Sequence, residues 1–514
     1  MKKVDLKIYI NLTSISVFAI VLFYLLSTIW ATDSGMALIG FMKFMPILGF
    51  TLMIMQQKNN DNIISSVPFV ASGMTIISSV GMQFSFLESF FSVDGRLAGF
   101  FQYPNTFALF LLVAELIILA KEKHNIFDYI SFSVLVFGIF YTGSRTVFIL
   151  FVLSNIILFF NIKSKKFKIF TLAIAVLAIL CAIAYFLLSG NTNALNRFLT
   201  ISLTDSSTFI GRLLYFQDAV PVILKHPFGL GYMGYYFIQQ SIQTGVYSVM
   251  YIHNDFLQLL LDIGWVPCGI FIAAIIKSIF SKNIIFYKKV ILCTMALHSC
   301  FDFNLQFVSM FFVMILFMDY NSGKEISIKK GKSALCIVSA ILIIVCLYFG
   351  TALALYQLGK NDVSHQLYSL NTQNEIVRLA DEEDITEANK IADTILKHNK
   401  YVTLAYSTKA RYFYNKGDFQ KVISYKNQIF ENAPFAYAEY EEYCYMLING
   451  IRLYHQAGDA YSESVCIKEL MHTKQKLESS PERLSKLGSK IQDQPRTELP
   501  QEIEEYIKMF EKAQ

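Results

Sequence analysis

The chain has 514 residues, 54% of them apolar and only 16% charged, where soluble domains carry about 25% charge. A mean hydropathy of +0.45 excludes an ordinary soluble domain and indicates a membrane protein. The formal charge of +5 is borne largely by lysines between apolar runs, which gives no reason to expect a nucleic-acid partner. Charge density rises sharply after residue 357, so two domains are expected, 1–356 and 357–514. Most cysteines lie in apolar runs; Cys444 and Cys466 fall outside them and make no disulfide framework.

In chain order, an apolar run from about Ile8 to Trp30 follows Met1-Lys2-Lys3 and is read as a retained first helix, because no small-residue cleavage site follows it. Further runs near 36–55, 63–80, 105–120, 129–142, 146–161, 169–188, 254–276, 283–299, 305–320 and 333–356 bring the expectation to about 11 transmembrane helices. Alternate connections carry Lys2, Lys3, Lys7, Lys58, Lys121, Lys163, Lys288, Lys324 and Lys330, whereas the others hold only Arg96, Arg145, Arg197, Arg212 and Lys225. The lysine-rich side is expected to be cytoplasmic, with the N-terminus inside and the tail after residue 357 outside. Lys43, in the middle of the second run, must face protein, water or a partner; snorkelling, structural pairing and a ligand role all stay open.

The longest polar interruption, about 189–253, would then be an extracytoplasmic loop rich in Tyr and Gly. Ionisable groups at a bilayer boundary cost free energy, so they point to a functional site, the alternative being a solvated connector. The cations on this side are mostly Arg, whose planar fork matches phosphate oxygens two at a time. Structural pairing with Asp94, Asp205 or Asp218 is the competing explanation. Gly229, Gly231 and Gly234 satisfy G-x-G-x-x-G, but no strand precedes them, so they are expected to turn the chain and press it on the membrane surface rather than bind a dinucleotide.

His253, just before an apolar run and beside Asn254, is the candidate general base, since imidazole titrates near neutral pH; a helix-capping histidine is the rival reading. His226, before a proline, has the character of a turn residue. Tyr235 and Tyr236, with Tyr232, Tyr247 and Tyr251, suit sugar rings and lipid headgroups equally well. The chain has no D-x-D and no H-E-x-x-H. The expected donor therefore needs no metal, and no cofactor is expected.

Beyond residue 357, Ala388, Ile391, Ala392, Ile395 and Leu396 follow the spacing of a helix with one buried face. Ala410, Gly417, Phe419, Val422, Ile429 and Pro434 resemble one tetratricopeptide repeat, so a small helical-repeat domain for docking or interaction is expected, a purely stabilising role being the alternative. The charged stretch Leu477–Pro500 reads as a mobile linker before a last helix near Gln501–Glu511.

Four segments in order resemble the O-antigen ligase and O-antigen polymerase (Wzy-type) superfamily. They are Arg96-Leu97-Ala98-Gly99-Phe100-Phe101 with Tyr103-Pro104-Asn105; Thr142-Gly143-Ser144-Arg145-Thr146; Gly211-Arg212 with His226-Pro227-Phe228-Gly229; and His253-Asn254-Asp255-Phe256-Leu257 leading to Asp262-Ile263-Gly264. The resemblance covers roughly residues 1–320. It implies an all-α, GT-C-like membrane domain in a bacterial cell membrane. The implied activity is metal-independent, inverting transfer of an oligosaccharide from polyprenyl diphosphate to a glycan, lipid or protein hydroxyl. In that reading His253 takes the acceptor proton, Arg145 and Arg212 hold the diphosphate, Arg96 supports the site, and Asn254, Tyr235 and Tyr236 contact substrate. The tail departs from the family and suggests an envelope protein partner. A transporter or flippase of lipid-linked glycans is the rival class, but it predicts charges spread through several helices. An anchored binding protein needs far fewer spans.

Overall fold

The computed structural model describes residues 5–57, 60–189, 207–329 and 331–511. Lys2, Lys3, Lys58, Arg197, Asp205 and Lys330, used in the charge pattern above, lie outside the described residues. The chain is mostly helical, with two small antiparallel strand pairs among the described residues. One pair joins Leu6–Ile10 to Lys324–Ile328, with Lys7 Nζ 2.8 Å from Glu325 Oε1, so two lysine-bearing connections meet on one side of the bundle.

Among the described residues, three helical stretches are long and apolar enough to cross a membrane, and they mark a membrane protein: Ser34–Met55, Asp61–Gly81 and Leu335–Gln357. Shorter apolar helices pack among them. The helix Pro104–Leu119 is apolar apart from Asn105, Thr106 and Glu115 and buried on nearly every residue, the position expected of such a helix at the centre of a bundle. Its neighbours are Asp61–Gly81, Ile126–Thr142 and Arg145–Phe159.

Several expected runs are divided for identifiable reasons. The run 36–55 comprises Ser34–Phe44 and Pro46–Met55, because Pro46 has no N–H to continue the first helix's ladder. The run 254–276 comprises Asp255–Ile263 and Trp265–Phe280, separated by Gly264 at φ +84°. That break is fixed from outside: a Cβ at Gly264 would lie 2.2 Å from the Pro227 carbonyl oxygen, and one at Gly229 would lie 2.5 Å from that of Asp262. Leu230 N–H donates to Leu261 O over 2.7 Å, Gly231 N–H to Asp262 O over 3.0 Å, and Trp265 N–H to Pro227 O over 2.9 Å. The glycines after His226-Pro227 thus press the chain onto the end of the helix Asp255–Ile263, rather than onto a membrane surface as the sequence suggested.

The tail packs on the membrane bundle before it builds a core of its own. Asp33 caps the helix Ser34–Phe44 through Met36 N–H at 2.9 Å and also accepts from Thr372 Oγ1 at 2.5 Å and Asn399 Nδ2 at 2.9 Å. A Cβ on Gly35 would lie 2.0 Å from the Leu370 carbonyl oxygen, so the two backbones are in direct contact. The principal buried cluster runs from Val17 to Tyr320 and continues into the tail through Leu379, Ile391 and Ala405. A second cluster, from Phe419 to Ile507, is built by antiparallel helices that include Phe419–Asn432, Tyr437–Ala457 and Ala460–Glu478.

Candidate active site

The site is organised around a carboxylate in the connection between the helices Phe286–Ser299 and Val308–Phe317. Asp302 is only 2% exposed at its side chain. Its Oδ1 accepts from the Tyr103 hydroxyl over 2.8 Å, and its Oδ2 accepts from Asn105 Nδ2 over 2.8 Å. His253 Nδ1 stands 3.3 Å from Oδ1, and Arg212 Nη2 stands 3.6 Å from Oδ2. These last two are charge contacts rather than aligned hydrogen bonds. Burial by itself would raise the Asp302 pKa, but the His253 contact and the charges of His298 and Arg212 outweigh it and hold the carboxyl well below its usual range. With this carboxylate beside Nδ1, the proton of neutral His253 belongs on that nitrogen, and Nε2 is left basic.

Backbone strain marks the same residue. His253 has φ +54°, a left-handed conformation that L side chains rarely adopt and that clusters at functional sites. It is held there from both sides. Asn254 Oδ1 accepts from Phe256 N–H and Leu257 N–H, each over 3.0 Å, and Asn254 Nδ2 donates to Cys300 O over 2.9 Å. On the other side, Ile252 N–H donates to Gln258 Oε1 over 3.1 Å. The helix cap is therefore Asn254, and its side chain is fully engaged by protein. His253 does not cap.

Arg96 Nε donates to Thr142 O and its Nη2 to Asn105 Oδ1, each over 2.8 Å. Since Asn105 also donates to Asp302, Arg96 reaches the site through that amide. Burial, with Arg145 adding in the same direction, lowers the Arg96 pKa against the opposing charges of Tyr103, Asp302 and Asp94. Arg145 is exposed in the first turn of the helix Arg145–Phe159. Gly143, at φ +61°, carries the chain past Arg96, whose Nε would lie 3.6 Å from a Cβ placed there. One part of each signature segment thus meets here, through Arg96 and Asn105, Thr142, Arg212, and His253.

A cavity of about 260 Å³ opens beside His253 and Arg212, lined also by Tyr215 and Tyr247 and, from the tail, by Ile491, Gln492 and Asp493. Arg212 Nε is buried without a protein partner, a donor left for another group. Tyr235 is buried behind the cavity, its hydroxyl 3.4 Å from that of Tyr247, and Tyr236 packs on Phe237. Neither tyrosine lines the cavity. Asp218, offered above as a partner for arginine, instead accepts from Thr244 N–H at 2.8 Å, Thr244 Oγ1 at 2.6 Å and the Tyr247 hydroxyl at 2.8 Å. Burial raises its pKa against these bonds. His226 lies in the turn before the glycines and touches no part of the cluster.

Lys43 is held inside the bundle: its Nζ donates to the Tyr232 hydroxyl at 3.0 Å and to Gln306 Oε1 at 3.3 Å, and lies 4.8 Å from the centre of the Tyr232 ring. Two features were not foreseen in the sequence. One is Asp302, a single acid between apolar runs; the other is the stretch read as a linker, which contributes a wall of the cavity.

Together these observations define a helical membrane protein in which the half-buried Arg212 and His253 meet the buried Asp302 at the edge of a cavity. Residues 130–272 match the family model for O-antigen ligase, and over that stretch the resemblance first seen in the motifs holds. The matched region contains Arg145, Arg212, His253 and Asn254, and its family-level activity is glycosyl transfer in polysaccharide biosynthesis. No curated protein matches the chain.

Proposed function

We propose that the protein transfers an oligosaccharide from polyprenyl diphosphate to an acceptor hydroxyl at the extracytoplasmic face of a bacterial cell membrane, as a polysaccharide polymerase or ligase. The observation that carries this reading is the convergence of Arg212 and His253 on Asp302 at the cavity edge, within the O-antigen ligase region. His253 Nε2 takes the proton of the acceptor hydroxyl as that oxygen forms its bond to the anomeric carbon. The bond from that carbon to the phosphate oxygen breaks, its electron pair leaves on the diphosphate, and attack opposite the leaving group inverts the centre. Arg212 and the exposed Arg145 stabilise the charge that develops on the diphosphate, which needs no metal ion. Arg96 and Asp302 position these groups.

The lysine asymmetry supports about 11 spans with the cavity and tail outside, and the antiparallel helices after residue 402 support a tetratricopeptide-like domain that docks an acceptor or an envelope protein. Purified protein supplied with a polyprenyl-diphosphate-linked oligosaccharide alone should yield a ladder of longer glycans if it is a polymerase. A product that forms only when a different acceptor is added identifies a ligase. Absence of transfer to any acceptor, with donor bound, overturns the glycosyltransferase reading.

A further inference from the structure

The stretch Leu477–Pro500 is a strap rather than a free linker. It leaves the tail's core at Leu477 and returns to it at Leu499 and Ile503, all three buried. The return is fastened by the Tyr437 hydroxyl, which donates to Glu498 O over 2.9 Å, and by the Arg496 guanidinium 4.2 Å from the Tyr437 ring centre. Between those anchors it crosses to the loop beside the active site. Ser485 N–H donates to Thr244 O over 2.9 Å. Gly488 packs backbone against backbone: a Cβ there would lie 2.0 Å from Thr244 O and 3.1 Å from Gly245 Cα. A Cβ on Gly245 would in turn lie 2.9 Å from Gly488 Cα and 3.3 Å from Ile491 Cδ1. Such an approach is open only to residues without a side chain on the facing sides. Gln494 Nε2 closes the turn that follows through the carbonyls of Gly488 at 3.3 Å and Ile491 at 2.7 Å.

The docked strap brings Gln492 and Asp493 into the lining of the cavity that Arg212 and His253 also line, so one wall belongs to the tail and one to the membrane domain. The two walls differ in chemistry. A diphosphate is drawn to the arginine side and repelled by the Asp493 carboxylate, which makes no ion pair among the described residues. A carboxylate and an amide, both exposed, are instead suited to sugar hydroxyls, the carboxylate accepting from them and the amide donating or accepting. Tyr215 and Tyr247, whose ring centres are 4.6 Å apart, supply an aromatic floor between the walls.

We propose that Gln492 and Asp493 form the acceptor subsite, that their ligand is the hydroxyl-bearing end of a neutral glycan, and that the tail thereby sets which acceptor is glycosylated. This rests on the glycosyltransferase reading above and deepens it.

The test uses the full-length protein in nanodiscs, with a radiolabelled polyprenyl-diphosphate-linked oligosaccharide as donor and a neutral oligosaccharide glycoside as acceptor. D493N combined with Q492A should raise the acceptor KM about tenfold, with a much smaller change in kcat, because hydrogen bonds to the glycan are lost while the reacting groups stay in place. Retention of the donor without acceptor should match wild type. Gly488→Leu should undock the strap and reproduce the KM effect while Gln492 and Asp493 remain intact. Equilibrium binding of the glycoside is measured separately. Equal affinity for wild type and the double variant overturns the subsite whether or not transfer is seen. Measurable glycoside binding that the double variant weakens, together with no transfer by wild type, would sink the catalytic reading and leave the subsite standing.

Discussion

His253 Nδ1 faces Asp302 Oδ1 at 3.3 Å, and the same oxygen accepts the Tyr103 hydroxyl at 2.8 Å. The carboxylate can therefore set the imidazole tautomer only while tyrosine and Asn105 hold it in place. Asp302→Asn keeps the shape but removes the charge that favours the proton on Nδ1 and stabilises the imidazolium. Turnover should fall about 10²- to 10⁴-fold, with donor retention reduced far less. A variant that turns over within a few-fold of wild type would remove Asp302 from the mechanism.

The depressed pKa of Asp302 also fixes the sign of an acid effect. Its folded value lies below the unfolded value of about 3.9, so ionised Asp302 stabilises the fold above that pH and loses this role only as pH falls through the lower, folded value. In wild type Asp302 should consequently stay ionised between about pH 7 and pH 5. The gap in apparent melting midpoint between wild type and Asp302→Asn in detergent should not narrow across that range. A gap that closes by about pH 5 would show that the carboxyl is not held in its charged form.

Arg212 and Arg96 should respond differently to replacement by lysine. Arg212 reaches Asp302 at 3.6 Å with its Nε left buried and unpartnered, so Arg212→Lys loses the fork aimed at an anion and should weaken donor retention strongly. Arg96 spends its Nε and Nη2 on Thr142 O and Asn105 Oδ1. Arg96→Lys should mainly lower the melting midpoint and kcat, through a displaced Asn105, with donor retention closer to wild type. Equal loss of donor retention in both variants would place Arg96 on the diphosphate itself.

How much of this was legible in the sequence depends on what each residue's signal looks like. Arg96, Arg145, Arg212 and His253 stand out because a cation among apolar runs is conspicuous and because short motifs surround them. Asn254 was expected to contact substrate, whereas its side chain caps the helix Asp255–Ile263 and bonds Cys300 O, a role the same Asn-Asp step before an apolar run also serves. Asp302 gave no such signal: it is one acid between two apolar runs, and its meaning comes from residues roughly 50 to 200 positions away. The strap was misread because composition measures apolar content, whereas Gly488 and Ser485 dock through backbone atoms. The run 254–276 was counted as one span because hydropathy does not register a positive φ, although the His253 segment was read as a helix closed by Asp262-Ile263-Gly264, where the structure ends it.

The loop that carries Tyr247 depends on Asp218, and its disruption should reach the strap. The Asp218 carboxylate accepts both Thr244 donors and the Tyr247 hydroxyl, and Thr244 O in turn receives Ser485 N–H. Asp218→Ala should free that loop and raise proteolytic cleavage within 485–493 without unfolding the second core. Unchanged cleavage there would mean that the strap holds without the loop's bonds to Asp218.

Lys43 gives the last prediction, and it separates the worth of a buried charge from that of the volume it fills. Its ammonium sits between the Tyr232 hydroxyl at 3.0 Å and Gln306 Oε1 at 3.3 Å, over the Tyr232 ring. If the charge is removed, the Tyr232 hydroxyl still has that of Tyr251 at 2.8 Å, so no partner is stranded on that side. Removing the cation also removes the cost of desolvating it, but it leaves the buried Gln306 Oε1 without its donor. Lys43→Met fills the same space and should therefore cost about 1–3 kcal/mol, the range for one buried acceptor left unpaired. Lys43→Ala leaves a cavity beside Phe44 and Tyr232 and should cost about 2–5 kcal/mol, the range for truncating a long buried side chain. Apparent melting midpoints in detergent, with glycan transfer assayed in parallel, check both. If Lys43→Met stays within that range but loses transfer, the ammonium is part of the catalytic site rather than the packing. Equal loss of stability in the two variants would mean that the charge, and not the volume, holds these helices together.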